Sequence, residues 1–458
     1  MRSILLTLLA AFALLSGAPA AAQAARAVYA ITDVTVVPMD RERLLPGRTV
    51  IVRDGRIAAI GAARSTRIPA GAVRIDGRNR YLMPGLAEMH AHVPAGADAQ
   101  WTRDVLFLYA ANGITFARGM LGAPAHLELR SKLEQGALIG PRLYTSGPSL
   151  NGNSVATPED GRRMVAEQKA AGYDFLKIHP GLDRARYDAI AAAARAHKLP
   201  FGGHVPDAVG LRRALEAGQA TVDHLDGYMP LLVRDDFAIP EGAGGFFGYD
   251  LADSVDERKI AQAARLTRQA AVWNVPTDSL MHHMLLPGLG EAELLAREEL
   301  RYVPSAMLEG WKQARAGFRA QPDYVPARAA RFILVRGKLI KALHDSGAGL
   351  LLGSDAPQLF NVPGFSLHRE LTYFVQAGLT PYQALSAGTR EVARFLGTPG
   401  DFGTVEPGRR ADLILIEGDP LKDVANVRRR AGVMVGGRWL GRDEIEAGLA
   451  AIAARHAG

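Results

Sequence analysis

At 458 residues the chain exceeds one ordinary domain, and its 48% apolar and 22% charged residues exclude a globally disordered protein in favour of one large unit plus something smaller. The complete lack of cysteine excludes disulfides and a lipid-modified cysteine anchor. Lys and Arg (54) exceed Asp and Glu (47) for a formal net charge of +7, but the arginines are dispersed and do not interleave with aromatics, so a solvated basic surface with at most a mild preference for anionic substrates is expected, not a nucleic-acid surface.

Taken in chain order, residues 1–24 read as a signal peptide. Arg2 is followed by the apolar "ILLTLLAAFALLSG" and then by the small-residue "APAAAQA", with cleavage expected after Ala24. The apolar run is short for a transmembrane span, and no later stretch reaches about 18 uninterrupted apolar residues. A periplasmic or secreted protein without a membrane anchor is the expectation.

From 28 to 83 the text consists of β-like pieces with turn signals, including apolar runs on both sides of "RDGR", a hairpin signal of the Asp-Gly type. Similar material returns in "GTVEPGRRADLILIEGDP" and "VMVGGRWLG". The spacing predicts one composite β-sandwich domain built from 25–83 and 401–458.

The middle, 84–400, alternates short apolar runs with Ala-, Arg-, Glu- and Leu-rich stretches of helical spacing such as "PEDGRRMVAEQKAAG". Counting the strand after Tyr81, eight such runs occur ("GITFARGM", "PRLYTSG", "YDFLKIHP", "PFGGHVP", "ATVDHLDGY", "AVWNVPT", "GLLLGSDAP" being the others), the number that closes a (β/α)8 TIM-like barrel. The less regular segments 229–260 and 284–335 are candidate lids over one face.

The C-terminal ends of these runs hold the chemistry. The first ends in His90 and His92, the fourth in Lys177, the fifth in His204, the sixth in His224 and the eighth in Asp355. All strand ends of a parallel barrel open on the same face, and residues i and i+2 of a strand share a side, so six potential ligands converge. Imidazole and carboxylate donors without thiolate suit Zn, Mn, Co, Fe or Ni, zinc being the first expectation.

The stretches "PGLAEMHAH", "LKIH", "GGHVP", "TVDHLDGY", "LLLGSDAP", "ALSAGT" and "FGTVEPGRRADLILIEGDPL" strongly resemble the amidohydrolase superfamily over essentially all of 28–440. Within it the chain looks most like the imidazolonepropionase-like group, which includes exported dipeptidase-like and amide-hydrolysing enzymes. The resemblance implies two divalent metal ions. His90 and His92 with Asp355 would hold the more buried one, His204 with His224 the more exposed one, and Lys177 would bridge them as a CO2-derived carbamate. A metal-bridging hydroxide would attack the carbonyl, with Asp355 as general base and acid.

Lys177 lies inside an apolar strand, where burial and nearby cations lower its pKa and free the amine for CO2; the competing reading is an ammonium that reaches the rim or pairs with an acid. Tyr228 is a candidate oxyanion donor or a packing residue, His179 a substrate contact or an ordinary hydrogen-bonded histidine. One of His282 and His283 is a candidate for the pocket, at least one of them being expected at the surface. Arg118 is read as an internal salt bridge ahead of a grip on a substrate carboxylate, and His368 as the start of a helix near the site. His126, His197, His344 and His456 are read as structural or exposed.

One departure stands out: some dipeptidase relatives carry a "GGHG"-like histidine after the third strand, where this chain has "TSGPSLNGNSVATP" with Ser149, Asn151, Asn153 and Ser154. The leading substrate class is a small amide, a dipeptide or N-acyl amino acid. A lactone, ester or cyclic-imide hydrolase on the same metals is the alternative, and a non-catalytic binding or scaffold protein a distant one. A homo-oligomer is compatible with any of them.

Overall fold

A computed structural model describes residues 27–95 and 99–457; the expected signal peptide lies outside the described residues. Both chain ends meet in one small β unit, as their sequence likeness predicts. Tyr81–Pro84 pairs in parallel with Tyr29–Val36 on one side and antiparallel with Leu413–Ile416 on the other. The "RDGR" hairpin is present, joining Leu45–Arg53 to Arg56–Ala62, with Asp54 and Gly55 both at positive φ as its tight turn requires.

The small β unit expected as a sandwich is hydrogen-bonded into one continuous run of eight strands. The reason is that Tyr29–Val36 bonds to strands on both of its edges and so joins the two halves. Alternation along Leu413–Ile416 shows how this sheet is used. Leu413 and Leu415 enter the unit's own core with Ile31 and Val50, while Ile414 and Ile416 turn to the main core. The chain's last long segment, Arg442–His456, is a helix, and it packs on the helix Gln100–Ala111.

The eight expected parallel strands are all present: Leu86–Ala91, Ile114–Gly119, Arg142–Thr145, Leu176–Ile178, Phe201–Gly203, Thr221–Asp223, Trp273–Val275 and Gly349–Leu350. Helices separate most of them, and their ends follow local rules. Pro158–Ala171, for example, starts on a Thr157–Asp160 capping box with Pro158 in its first turn, and it stops at Gly172 in the left-handed region.

The strands form a three-stranded and a five-stranded sheet, and no continuous ladder closes them into a ring. Isolated parallel bridges join the sheets at Ser146 with Phe175 and at Ala91 with Ala356. Between the first and eighth strands the junction is tightened by a side chain. The buried Glu88 accepts the backbone N–H of His90 (3.1 Å) and of Ser354 (2.7 Å), and the Ser354 hydroxyl (2.5 Å).

Of the two candidate lids only the first reaches the open face, through Gly244–Gly248. The second becomes helices, chiefly Ser305–Arg319 and Pro326–Ser346, fastened away from that face. Arg315 and Arg319 donate to the carbonyls of His283 and Met284, at the end of the helix Asp278–Leu285, which uses those arginines as a cap.

Candidate metal centre

The first strand is extended, so His90 and His92 reach the same side, His90 buried and His92 partly exposed. Asp355 comes to them from the end of the eighth strand at a φ of 65°, and His224 leaves the sixth at a φ of 62°. Left-handed backbone at two non-glycine residues is a strained arrangement of the kind that concentrates where side chains must be aimed.

One donor atom each from His90, His92 and Asp355 lies within 4.8 Å of the others. Asp355 Oδ1 is 2.7 Å from His92 Nε2 and 3.5 Å from His90 Nε2. The other three expected ligands stand beside this group. Lys177 Nζ is 3.5 Å from His90 Nε2, His224 Nδ1 is 3.8 Å from Asp355 Oδ2, and the His204 and His224 rings are 4.6 Å apart. The six side chains named from the sequence are therefore brought together.

Asp355 Oδ1 is buried and has no hydrogen-bond partner despite its imidazole neighbours. Orphaned polar atoms of this kind are costly unless something else satisfies them. Imidazoles and a carboxylate that converge on one point suit a divalent cation, so the donor set fits a metal. Burial, first of all, holds His90 and His224 well below the usual histidine pKa, and Lys177 and neighbouring imidazoles push in the same direction. That is the protonation state a ligand needs.

Outer polar groups stand against the ligand rings, and those at His204 and His224 are hydrogen bonds. Asp223 Oδ2 is 2.9 Å from His90 Nδ1, Asp226 Oδ2 is 2.7 Å from His204 Nδ1, and Thr277 Oγ1 is 2.8 Å from His224 Nδ1. Asp223 is in turn gripped by Arg118, which donates to both of its oxygens at 3.1–3.2 Å. Burial pushes the Asp223 carboxyl up, but Arg118, Lys177 and His224 outweigh that and leave it lowered and charged. Arg118 thus makes the internal salt bridge expected of it.

Lys177 is fully buried, and burial brings its pKa down to about 8 even though Asp223 and Asp355 pull it upward. Space for its stem depends on Gly203, at a φ of +122°. A Cβ there would meet Ile178 O at 2.6 Å and Lys177 Cδ at 2.8 Å. The "GGH" of the fifth strand therefore serves the lysine as well as His204.

Several expectations are corrected. Tyr228 is fully buried away from the cavity, its hydroxyl donating to Asn274 Oδ1 at 2.9 Å and sitting 2.7 Å from Thr267 Oγ1, so it has no hydroxyl to offer a substrate. His282 and His283 are both buried and neither lines the cavity. They lie on a helix whose His282 stacks on Tyr373 at 3.8 Å and whose His283 meets Arg297. His368 does lie in the first turn of a helix, but it bonds the Asn112 carbonyl and does not line the cavity. Asn151 and Ser154 spend their side chains on their own turn.

His179 does line the cavity, 5.1 Å from the His204 ring, and burial lowers its pKa to about 2. The cavity of about 440 Å³ also contains residues that the sequence reading missed. Phe247 lies 5.0 Å from the His224 ring and stacks at 6.1 Å on His204. Asp207, Leu280, Gln358 and Leu359 complete the walls. The segment 229–260 is expected as a lid, but nothing in "GGFFG" singles out Phe247 as the residue that reaches the histidines.

The model of the amidohydrolase family matches residues 81–440. The imidazolonepropionase of Solibacter usitatus (strain Ellin6076) is 25% identical over 401 residues, covering 83% of this chain and 87% of its own length. Adenine deaminase 3 of Rhizobium meliloti (strain 1021) is 22% identical over 81% of this chain, which spans about half (52%) of that longer relative. Among solved structures, a putative prolidase from Bifidobacterium longum superposes with a TM-score of 0.68 at 24% identity, covering 93% of this chain and 99% of its own. Bottromycin amidohydrolase does so with a TM-score of 0.72 at 24% identity, covering 94% and 90%. These structural likenesses concern the fold, whereas the family match spans most of the sequence. The chain belongs to the amidohydrolase family and, with it, to the enzymes that hydrolyse carbon–nitrogen bonds.

Proposed function

We propose that this chain is an exported, two-metal amidohydrolase that cleaves a small amide, with its two parallel sheets working together as an eight-strand barrel around the site. The observation that carries the reading is the convergence of His90, His92 and Asp355 on one point, with Lys177, His204 and His224 beside them.

His90, His92 and Asp355 would hold the more buried ion, and His204 with His224 the other. Lys177 would join them after its free amine adds to CO2, giving a carbamate anion and releasing a proton. A pKa near 8 supports this, because an appreciable fraction of the amine is free near neutrality. When bound, the ions would supply hydroxide near neutral pH and polarise the scissile carbonyl.

The protein's own work is positioning and proton transfer. Asp355 takes the proton as water attacks and returns it to the departing amine. Asp226 holds His204 in one orientation, and Asp223 places its charge beside the His90 ring. Phe247 limits water over the histidines. The leader-like residues 1–24 support export, and no helix among the described residues is long and apolar enough to cross a membrane.

Metal analysis of the purified protein, paired with hydrolysis of a panel of dipeptides, N-acyl amino acids and lactones, tests the reading. Two equivalents of a divalent metal and turnover of an amide are expected. A protein that binds no metal and stays inactive on every amide after metal addition would sink it.

A further inference from the structure

The chain carries a formal charge of +7, yet no lysine or arginine lines its catalytic cavity among the described residues. Beyond the histidines and Asp355, the charged side chains of the lining are Asp207 and Asp226. Asp226 is engaged by His204 at 2.7 Å. Asp207 is exposed three residues beyond His204 and makes no hydrogen bond or ion pair among the described residues. It faces the glycine-rich loop, where a Cβ on Gly244 would come 3.8 Å from its Oδ1. Asp250, which holds that loop by accepting the Gly244 N–H, adds another negative charge behind it. The remaining walls hold one neutral amide, Gln358, among apolar side chains: Val205, Phe246, Phe247, Leu280 and Leu359.

Resting on the amide-hydrolase reading above, we infer that the substrate carries a cationic or neutral group on an apolar body at the end away from the scissile bond, and that Asp207 selects the cation. A free carboxylate at that end would enter a mouth of like charge with no guanidinium or ammonium to receive it, whereas an ammonium gains an attractive partner. This turns away from the anionic preference that the overall basicity invites, because local charge at the mouth governs a bound group more than net charge spread over the distant surface. It also turns away from dipeptides and N-acyl amino acids with a free terminal carboxylate.

The test uses three compounds with the same scissile bond: benzoylglycyl-phenylalanine, its primary amide and its 2-aminoethylamide. On the metal-loaded enzyme, kcat/KM is expected to be at least tenfold higher for the aminoethylamide than for the free acid, with the primary amide between them. Asp207→Asn should lower the aminoethylamide value about fivefold, as for a partly exposed ion pair, and change the primary amide value far less. A binding arm by calorimetry with 3-phenylpropylamine and 3-phenylpropanol separates this inference from the reaction itself. Asp207→Asn should weaken the amine about fivefold and spare the alcohol. The free acid being hydrolysed fastest, or an Asp207→Asn enzyme with unchanged amine affinity and unchanged charge preference, would overturn the inference while leaving the hydrolase reading intact. No hydrolysis of any of the three, with amine binding still dependent on Asp207, would uphold the charge preference and count against the reaction.

Discussion

At the scale of single residues, the convergence of the candidate ligands was legible and their supports were not. His90, His92, His204, His224, Lys177 and Asp355 each sit at the end of an apolar run, so sequence position alone predicts a shared face. Glu88, Asp223 and Asp226 read as ordinary acids, because their roles come from contacts between strands far apart in the chain. Lys177→Ala is expected to lower both bound metal and activity by a hundredfold or more, with short carboxylic acids restoring part of each; full activity in that variant would refute the bridging role. Glu88 offers a test by pH. Burial raises its pKa to about 8, against the pull of its bonds to Ser354 and His90. A carboxyl raised on folding stabilises fully below its unfolded value of 4.5, and that contribution is lost as pH climbs through 8. The lowered histidines act oppositely but only below about pH 6.5, and the lowered Lys177 acts oppositely between 8 and 10.5. Between pH 6.5 and 8 the chelator-treated protein should therefore lose melting temperature as pH rises, and Glu88→Gln should flatten that slope; equal slopes in the two proteins would show that Glu88 is already ionised.

At the scale of elements, the strands and helices followed their periodicity, while the lid depended on backbone freedom that periodicity does not report. Gly244, Phe246, Phe247 and Gly248 all have positive φ, and this run of left-handed residues places Phe247 near-parallel to His204 and tilted over His224. A Cβ on Gly248 would stand 2.5 Å from Met229 Cβ at a φ of +81°. Gly248→Ala therefore faces about 1–2 kcal/mol of left-handed backbone cost plus a collision with a buried side chain. The loop is expected to lift, raising KM severalfold for any amide the enzyme cleaves while bound metal stays at its native level, because none of the six ligands lies on the loop. Unchanged KM with a lowered melting temperature would show that the loop is only structural. Tyr228 illustrates the opposite error at this scale: closeness to His224 in sequence suggested the cavity, but the non-helical turn between them carried its hydroxyl into the core instead.

At the scale of the whole molecule, the two chain ends are one piece of architecture, and that was legible because both carry the same alternating β text. What the text does not reveal is that the strand Leu413–Ile416 is buried on both faces, since each of its four side chains is fully covered. It lies between Tyr81–Pro84 and Arg430–Val435, so it completes the small sheet and also caps the main core. Burying four such side chains stabilises by about 2 kcal/mol each, which together is on the order of the entire net stability of a folded domain. A chain ending at residue 400 would lose them and leave Tyr81–Pro84 as an open edge beside the first ligand strand. It is expected to show no cooperative thermal transition and to be recovered insoluble. A chain ending at 441 loses only the terminal helix, whose Ile452 packs near Leu108 and whose Arg455 pairs with Asp104 at 2.5 Å. That shorter deletion should leave a soluble protein that melts several degrees lower but still binds metal. If the 400-residue chain instead melts cooperatively and holds metal, the middle segment folds by itself and the paired ends are an accessory, not a part of the fold.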